Sequence, residues 1–207
     1  MKNFNVTINT QNSFMRDALV ILTQQVVKEV GDVEVVFSYA LDDYSSTDIL
    51  IREIVSGEIF LCNYEIKNRK QGCAVILLHN FESLPEHESI VNCMKDSTFI
   101  SLKVTNSTQI LNVIEKVFRN SLVGVEKNTD PQLLTCSGCP HRQLSVCQKE
   151  VIKGISEGFG MGQIAYSQRV SRRTTAFHKN RILEKFNLNN NQELFHFVNL
   201  LRVRWNN

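Results

Sequence analysis

Residues 4–9 (FNVTIN) alternate apolar and polar side chains as a half-buried strand does, and residues 13–30 change to the helical spacing of Phe14, Ala18, Ile21 and Leu22. The two rhythms keep exchanging. Strand-like runs follow at 33–40 (VEVVFSYA), 58–64 (EIFLCNY), 73–80 (CAVILLHN) and 98–104 (TFISLKV). Helical spacing is expected at about 46–55, in a short stretch around 86–94, and at 107–119. Five strands, most followed by helices, predict a small parallel sheet covered on both faces. The connection 65–72 (EIKNRKQG) is too short for a proper helix.

Right-handed crossovers leave few topologies for such a chain, and the flavodoxin-like order 2-1-3-4-5 is the expected one. After Arg119 the pattern dissolves. Gly, Asp-Pro, Ser-Gly and Cys-Pro steps then mark a linker. From Leu144 onward the periodicity is helical. The expected division is an α/β domain over 1–120, a linker with a cysteine cluster over 121–143, and an all-α domain over 144–207.

Charge sharpens this division. Residues 1–139 carry 12 Lys and Arg against 17 Asp and Glu, whereas residues 140–207 carry 11 against 4. A strongly basic domain joined to an acidic one points to a polyanionic partner for the basic half. No apolar run approaches the ~18 residues of a membrane span. The N-terminal stretch lacks an apolar block and cleavage site, so a cytoplasmic chain with no membrane partner is expected. Cys62, Cys73 and Cys93 lie in apolar stretches and read as buried, reduced thiols.

The segment SRRTTAFHKNRILEKF (171–186) raises a specific question about its outward face. On a helical wheel Thr175, His178, Ile182 and Phe186 fall within about 80° of one another and form a packing face. Opposite them lie Arg173, Phe177, Asn180 and Glu184, flanked by Ala176 and Arg181. Ser171 suits the N-cap, where a phosphate would also be favoured. Arg can bond guanine, Asn can bond adenine, and Phe or Ala can touch a thymine methyl, so the outward flank fits the major groove of double-stranded DNA. Before it, a helix near 145–156 stops at Glu157-Gly158, a short helix carries Ile164 and Ala165, and a tight turn spans 168–171. That is helix-turn-helix spacing.

Residues 144–194 (LSVCQKEVIKGISEGFGMGQIAYSQRVSRRTTAFHKNRILEKFNLNNNQEL) resemble, without a gap, the helix-turn-helix domain of the LuxR/FixJ/NarL transcription factors. Leu144, Glu150-Val151-Ile152, Glu157-Gly158, Ile164-Ala165, Val170-Ser171, Thr174, His178, Ile182, Lys185 and Phe186-Asn187-Leu188 carry the resemblance. It implies four helices, the last over 191–203, which commonly supports dimerisation on DNA. The outward Leu/Phe stripe of LFHFVNLL suits that role. It also implies that the helix 172–186 reads DNA through Ser171, Arg172, Arg173, Thr174, Ala176, Phe177, His178, Asn180, Arg181 and Lys185. Arg172 and Lys185 are the expected phosphate contacts, and His178 a packing or phosphate-contacting residue. The family usually has Lys where this chain has Ala176, a β-branched aliphatic at Thr175 and Asn at Arg181, so the base sequence read should differ from that of a typical member.

Many members of that family carry an N-terminal phospho-receiver, and the α/β half here is similar to one. Residues 10–19 resemble its first strand-to-helix corner, and SLKVTNSTQILNVI its fifth, with Lys103 at the usual lysine. Receiver phosphorylation needs a carboxylate pair after strand one to hold Mg²⁺ and an Asp acceptor after strand three. With 58–64 as the third strand, the chain offers Thr10 and Gln11 at the first site and Asn63 or Tyr64 at the second. A degenerate receiver without a phosphoacceptor is therefore expected, and Asp42-Asp43 reads as a turn.

Cys136, Cys139, His141 and Cys147 fall within twelve residues. The Cys-x-x-Cys spacing makes them candidate ligands for zinc or an iron–sulfur cluster, although His141 is too close to Cys139 for a common finger pattern and Cys147 could simply pack in the first turn of its helix. No Gly-rich phosphate loop, nucleophile elbow or convergent carboxylate pair supports an enzyme. The expected function is a dimeric, non-enzymatic transcription regulator that needs no cofactor. Its partners would be DNA, a second copy or a related regulator as heterodimer partner, and RNA polymerase. A metal- or thiol-responsive sensor is the alternative.

Overall fold

A computed structural model describes residues 2–31, 33–39, 43–123 and 135–206. Residues 124–134 of the linker lie outside the described residues, as do Ala40 and Asp42. The chain divides into two compact units, Met1–Ile54 with Asn63–Cys139, and Val55–Cys62 with Pro140–Asn207.

The first unit is built on five parallel strands, β1 (Lys2–Asn9), β2 (Val33–Ser38), β3 (Ile49–Glu53), β4 (Ala74–His79) and β5 (Thr98–Ser101), in the order β2-β1-β3-β4-β5. The expected strand order is found, but with a different third strand. Residues 46–55, expected as a helix, contain β3, which pairs Val6 with Ile49 and Ile51 with Ile76. Ile49 and Ile51 point to one side of the sheet and Leu50 and Arg52 to the other, all buried, and β-branched residues favour this pleat over a helix. Residues 58–64, expected as a strand, form a 3-10 turn at Glu58–Phe60 and then lead to the four-residue helix α2 (Tyr64–Lys67). The helix expected around 86–94 is two 3-10 turns, His87–Ser89 and Asn92–Met94. The second and fifth strands stop at Ser38 and Ser101, short of the expected ends.

Two long helices serve one face of the sheet. Helix α1 (Ser13–Val30) starts where the Asn12 side chain accepts the Met15 N–H at 3.2 Å, and ends at Gly31, whose φ of +68° suits glycine. Helix α3 (Ser107–Leu122) opens with reciprocal bonds between Asn106 and Gln109. Leu19 and Val26 of α1, and Ile114, Val117 and Phe118 of α3, join Phe4, Val6, Ile8, Ile51, Ile76 and Leu78 in one apolar core. The opposite face carries Thr7, Leu50, Arg52, Leu77 and His79. Short elements and paired polar groups serve it. Thr7 and Thr47 hydroxyls meet at 2.7 Å, and Arg52 donates to Asn63, whose Oδ1 also caps α2. Arg69 donates to the Ile66 and Cys93 carbonyls and makes two bonds, 2.8 and 2.6 Å, to the Asp96 carboxylate. A buried guanidinium is tolerable here because its donors are so well occupied.

The strand reassignment changes the reading of the receiver-like corner. The residue at the carboxyl end of β3 is Glu53, not Asn63 or Tyr64, and its Oε2 accepts the Thr10 hydroxyl at 2.5 Å. Asp43 sits in a turn, where its carboxylate accepts the Ser45 N–H and is held below its ordinary pKa by that bond. Cys73 and Cys93 are buried as expected, but Cys62 is exposed.

Candidate nucleic-acid interface

The second unit is helical: α4 (Val146–Ser156), α5 (Met161–Ser167), α6 (Arg172–Lys185) and α7 (Asn191–Asn206). Each of the first three ends in the same device. Beyond α4, Gly158 at φ +81° lets the Phe159 N–H reach Gly154 O at 2.9 Å and its own N–H reach Ile155 O at 3.0 Å. Beyond α5, Arg169 at φ +54° donates to Tyr166 O, and Val170 donates to Ala165 O. Beyond α6, Asn187 at φ +52° donates to Glu184 O, and Leu188 donates to Leu183 O at 2.8 Å. These paired bonds are Schellman motifs, which normally place glycine at the left-handed position. Arg169, between the two helices of the turn, is the unusual occupant.

Helix α6 starts at Ser171, whose Oγ accepts the Thr174 N–H at 3.0 Å. Thr175, Ile182 and Phe186 are fully buried, and His178 is half-buried at the edge of that face. Phe186 meets Phe197 of α7 with ring centroids 4.6 Å apart. At the other end Arg142 donates to the Lys185 carbonyl, placing a cation where α6 exposes its last acceptors. Arg172, Arg173, Phe177, Asn180 and Arg181 are exposed, Ala176 is half-buried beside them, and Lys185 is half-buried at the end. The sequence-predicted residues are thus gathered along one helix. Pattern reading missed one feature: the Arg181 guanidinium is engaged with the Glu184 carboxylate at 2.8 Å and lies 5.3 Å from the Phe177 ring centre. The i, i+3 spacing of Arg181 and Glu184 was the available signal.

The Leu/Phe stripe of α7 is less outward than expected. Leu194, Phe197, Val198 and Leu201 are core residues, leaving Phe195, Val203 and Trp205 exposed. Residues 55–62 complete this unit. Gly57, at φ +86°, lies so close that a Cβ there would stand 2.8 Å from the Phe197 ring and 3.1 Å from Leu188. Arg204 bonds the buried Glu58 carboxylate at 2.8 Å and Cys62 O at 3.0 Å, and Arg142 stacks 3.6 Å over the Phe60 ring.

Residues 142–198 match the family described as bacterial regulatory proteins, luxR family. The C-terminal segment is a LuxR-type helix-turn-helix domain. This is a family of regulatory proteins rather than of enzymes. Among solved structures, RcsB from Salmonella enterica serovar Typhimurium bound to promoter P1flhDC is 18% identical with a TM-score of 0.52, covering 95% of this chain and 98% of that one. Full-length FixJ from B. japonicum is 17% identical over 94% of this chain and 95% of that one, with a TM-score of 0.38. The likeness to RcsB establishes a common fold, a receiver-like α/β domain followed by a helix-turn-helix domain. No curated protein sequence matches the chain.

Among the described residues no three His, Cys, Asp or Glu side chains gather as a metal site. Cys147 is exposed rather than packed. Among those residues no helix is long and apolar enough to cross a membrane.

Proposed function

We propose that the chain is a sequence-specific transcription regulator that lays α6 in the major groove of double-stranded DNA. One observation carries this reading: Arg173, Phe177, Asn180 and Arg181 are exposed along one flank with Ala176 half-buried beside them, while Thr175, Ile182 and Phe186 opposite are committed to the core. An amide, two guanidinium groups and apolar contacts for a thymine methyl are the side chains that major-groove edges require. Ser171, Arg172, Thr174, His178 and Lys185 are assigned to the flanking phosphates, which hold register rather than read sequence. The RcsB of similar fold is bound to promoter DNA, which agrees with this reading.

The regulator acts as a dimer, with a second copy or a related regulator, and Phe195, Val203 and Trp205 on α7 supply apolar surface for it. In size and layout the chain resembles the auxiliary capsule regulator RcsA, and RNA polymerase is a further candidate partner. It works without aspartyl phosphorylation. Thr10 and Gln11 offer no anionic Mg²⁺ site, and the carboxylate at the end of β3 belongs to Glu53 and is already bonded to Thr10. A beryllofluoride titration should leave the first unit unchanged.

The decisive experiment is a gel-retardation titration of the full chain on selected and random DNA at several salt concentrations. Binding should weaken steeply with salt on both, because phosphate contacts release counterions, and Asn180→Ala should cost about 1–3 kcal/mol on the selected sequence only. Salt-insensitive binding, or equal loss on both DNAs for Asn180→Ala and Arg181→Ala, overturns the reading.

A further inference from the structure

We propose that Cys136 and Cys139 are a redox pair that closes to an intramolecular disulfide by exchange with a low-molecular-weight disulfide and reopens with a reducing thiol. The inference is independent of DNA binding. The two cysteines are the first and fourth residues of a turn in which the Cys139 N–H donates to the Cys136 carbonyl at 3.3 Å. Gly138, at the third position, has φ +66°, a conformation that costs glycine nothing. A closed turn of this kind holds its end Cα atoms within about 7 Å, and disulfides bridge Cα separations of about 4.4–6.8 Å. The backbone therefore already holds the two residues at bonding range.

The surroundings suit exchange chemistry. Cys136 is exposed and Cys139 half-buried. The Asn92 N–H donates to the Cys139 sulfur at 3.4 Å, and the Asn92 side chain donates to Thr135 O at 3.4 Å, fixing the approach to the turn. By contrast Cys73 is buried and its thiol is pushed up to about 12, mainly by that burial, so it stays inert. Cys62 and Cys147 belong to the other unit, and Cys139 is the last residue of the first.

The exchange balances without a metal. The Cys136 thiolate attacks one sulfur of glutathione disulfide, forming a mixed disulfide and expelling one glutathione. The Cys139 thiolate then attacks the Cys136 sulfur, forming the internal bond and expelling the second glutathione. Two electrons leave the cysteine pair, and its two thiol protons end on the two glutathiones.

The test equilibrates the full chain in glutathione buffers of graded potential, traps free thiols by alkylation and maps them by mass spectrometry. The expected result is loss of two of the six thiols as a Cys136–Cys139 bond, reversed by dithiothreitol, with circular dichroism unchanged. Cys139→Ser should stop at glutathione on Cys136. Gly138→Ala meets no atom within 4 Å, so it perturbs only the turn, and should lower the exchange constant about five- to thirtyfold. Six free thiols at the oxidising end, a bond from Cys136 to Cys62 or Cys147, or stoichiometric zinc that blocks oxidation would each overturn the proposal.

Discussion

In the free protein the Arg181 guanidinium is bonded to Glu184 at 2.8 Å, with both side chains more than half exposed. To reach a base edge it must leave that partner. An exposed pair of this kind is worth about 0.2–1 kcal/mol, and a good bidentate base contact discriminates by about 1–3 kcal/mol. Taking about 0.5 for the pair and about 2 for the contact, Arg181→Ala should lose about 1.5 kcal/mol, roughly twelvefold, on a selected sequence. With Glu184→Gln in the background nothing has to be released, and the same truncation should lose about 2 kcal/mol, roughly thirtyfold. Glu184→Gln alone should tighten binding to every DNA, since it removes a negative charge from the surface proposed to meet DNA. Fluorescence anisotropy on one selected duplex and one scrambled duplex, at fixed salt, completes the double-mutant cycle. A loss that is smaller in the Glu184→Gln background, or that is as large on scrambled DNA, refutes the assignment of Arg181 to base reading.

Three further outcomes follow from particular geometries. Arg169→Gly removes a left-handed arginine from the turn between α5 and α6 and should stabilise the second unit by up to ~1 kcal/mol in thermal unfolding, less the entropy glycine gives to the unfolded chain. Gly57→Ala should destabilise that unit by ~2–4 kcal/mol, because its Cβ is both conformationally strained and forced against the Phe197 ring; denaturant melts will register the change. His79 is held below the ordinary histidine pKa by burial, and its Nδ1 accepts the Phe81 N–H at 3.1 Å. The unfolded chain therefore takes up the proton first, so stability should fall as pH drops from about 6.5 toward the lowered folded pKa. His79→Gln should flatten that slope in urea titrations across pH.

The sequence was most legible where one face of an element is buried and its ends are chemically marked. Helix α1 has the expected bounds because Asn12 opens it and Gly31 closes it, yet it buries Leu19, Thr23 and Val26 and leaves Phe14, Ala18 and Ile21 of the expected spacing exposed. Helix α6 followed its wheel, since Thr175, Ile182 and Phe186 leave one packing solution. Legibility failed at 46–64. Ile49, Leu50, Ile51, Ile54 and Val55 satisfy a helical period as well as a strand buried on both faces, and a short apolar run cannot separate the two. Ile59, Phe60 and Leu61 then looked like a strand because they are buried, yet their burial belongs to a turn in the second unit.

That misplacement moved the receiver-like acceptor position by ten residues, from Glu53 to Asn63, and its correction alters the argument about phosphorylation. A neutral amide would leave nothing to modify, whereas Glu53 presents a carboxylate at the end of β3. What argues against transfer to it is its surroundings. The Thr10 hydroxyl occupies one carboxylate oxygen at 2.5 Å, from the strand end where a receiver would place metal-binding acids. Thr10 and Gln11 stand there in place of the acids that would hold a divalent cation against an incoming phosphoryl group. The bond from Thr10 also ties the carboxyl ends of β1 and β3 together, the position where a receiver's metal and phosphate would act. The corner is thus occupied by a bond the chain itself supplies, which is the ground for proposing that it works without aspartyl phosphorylation.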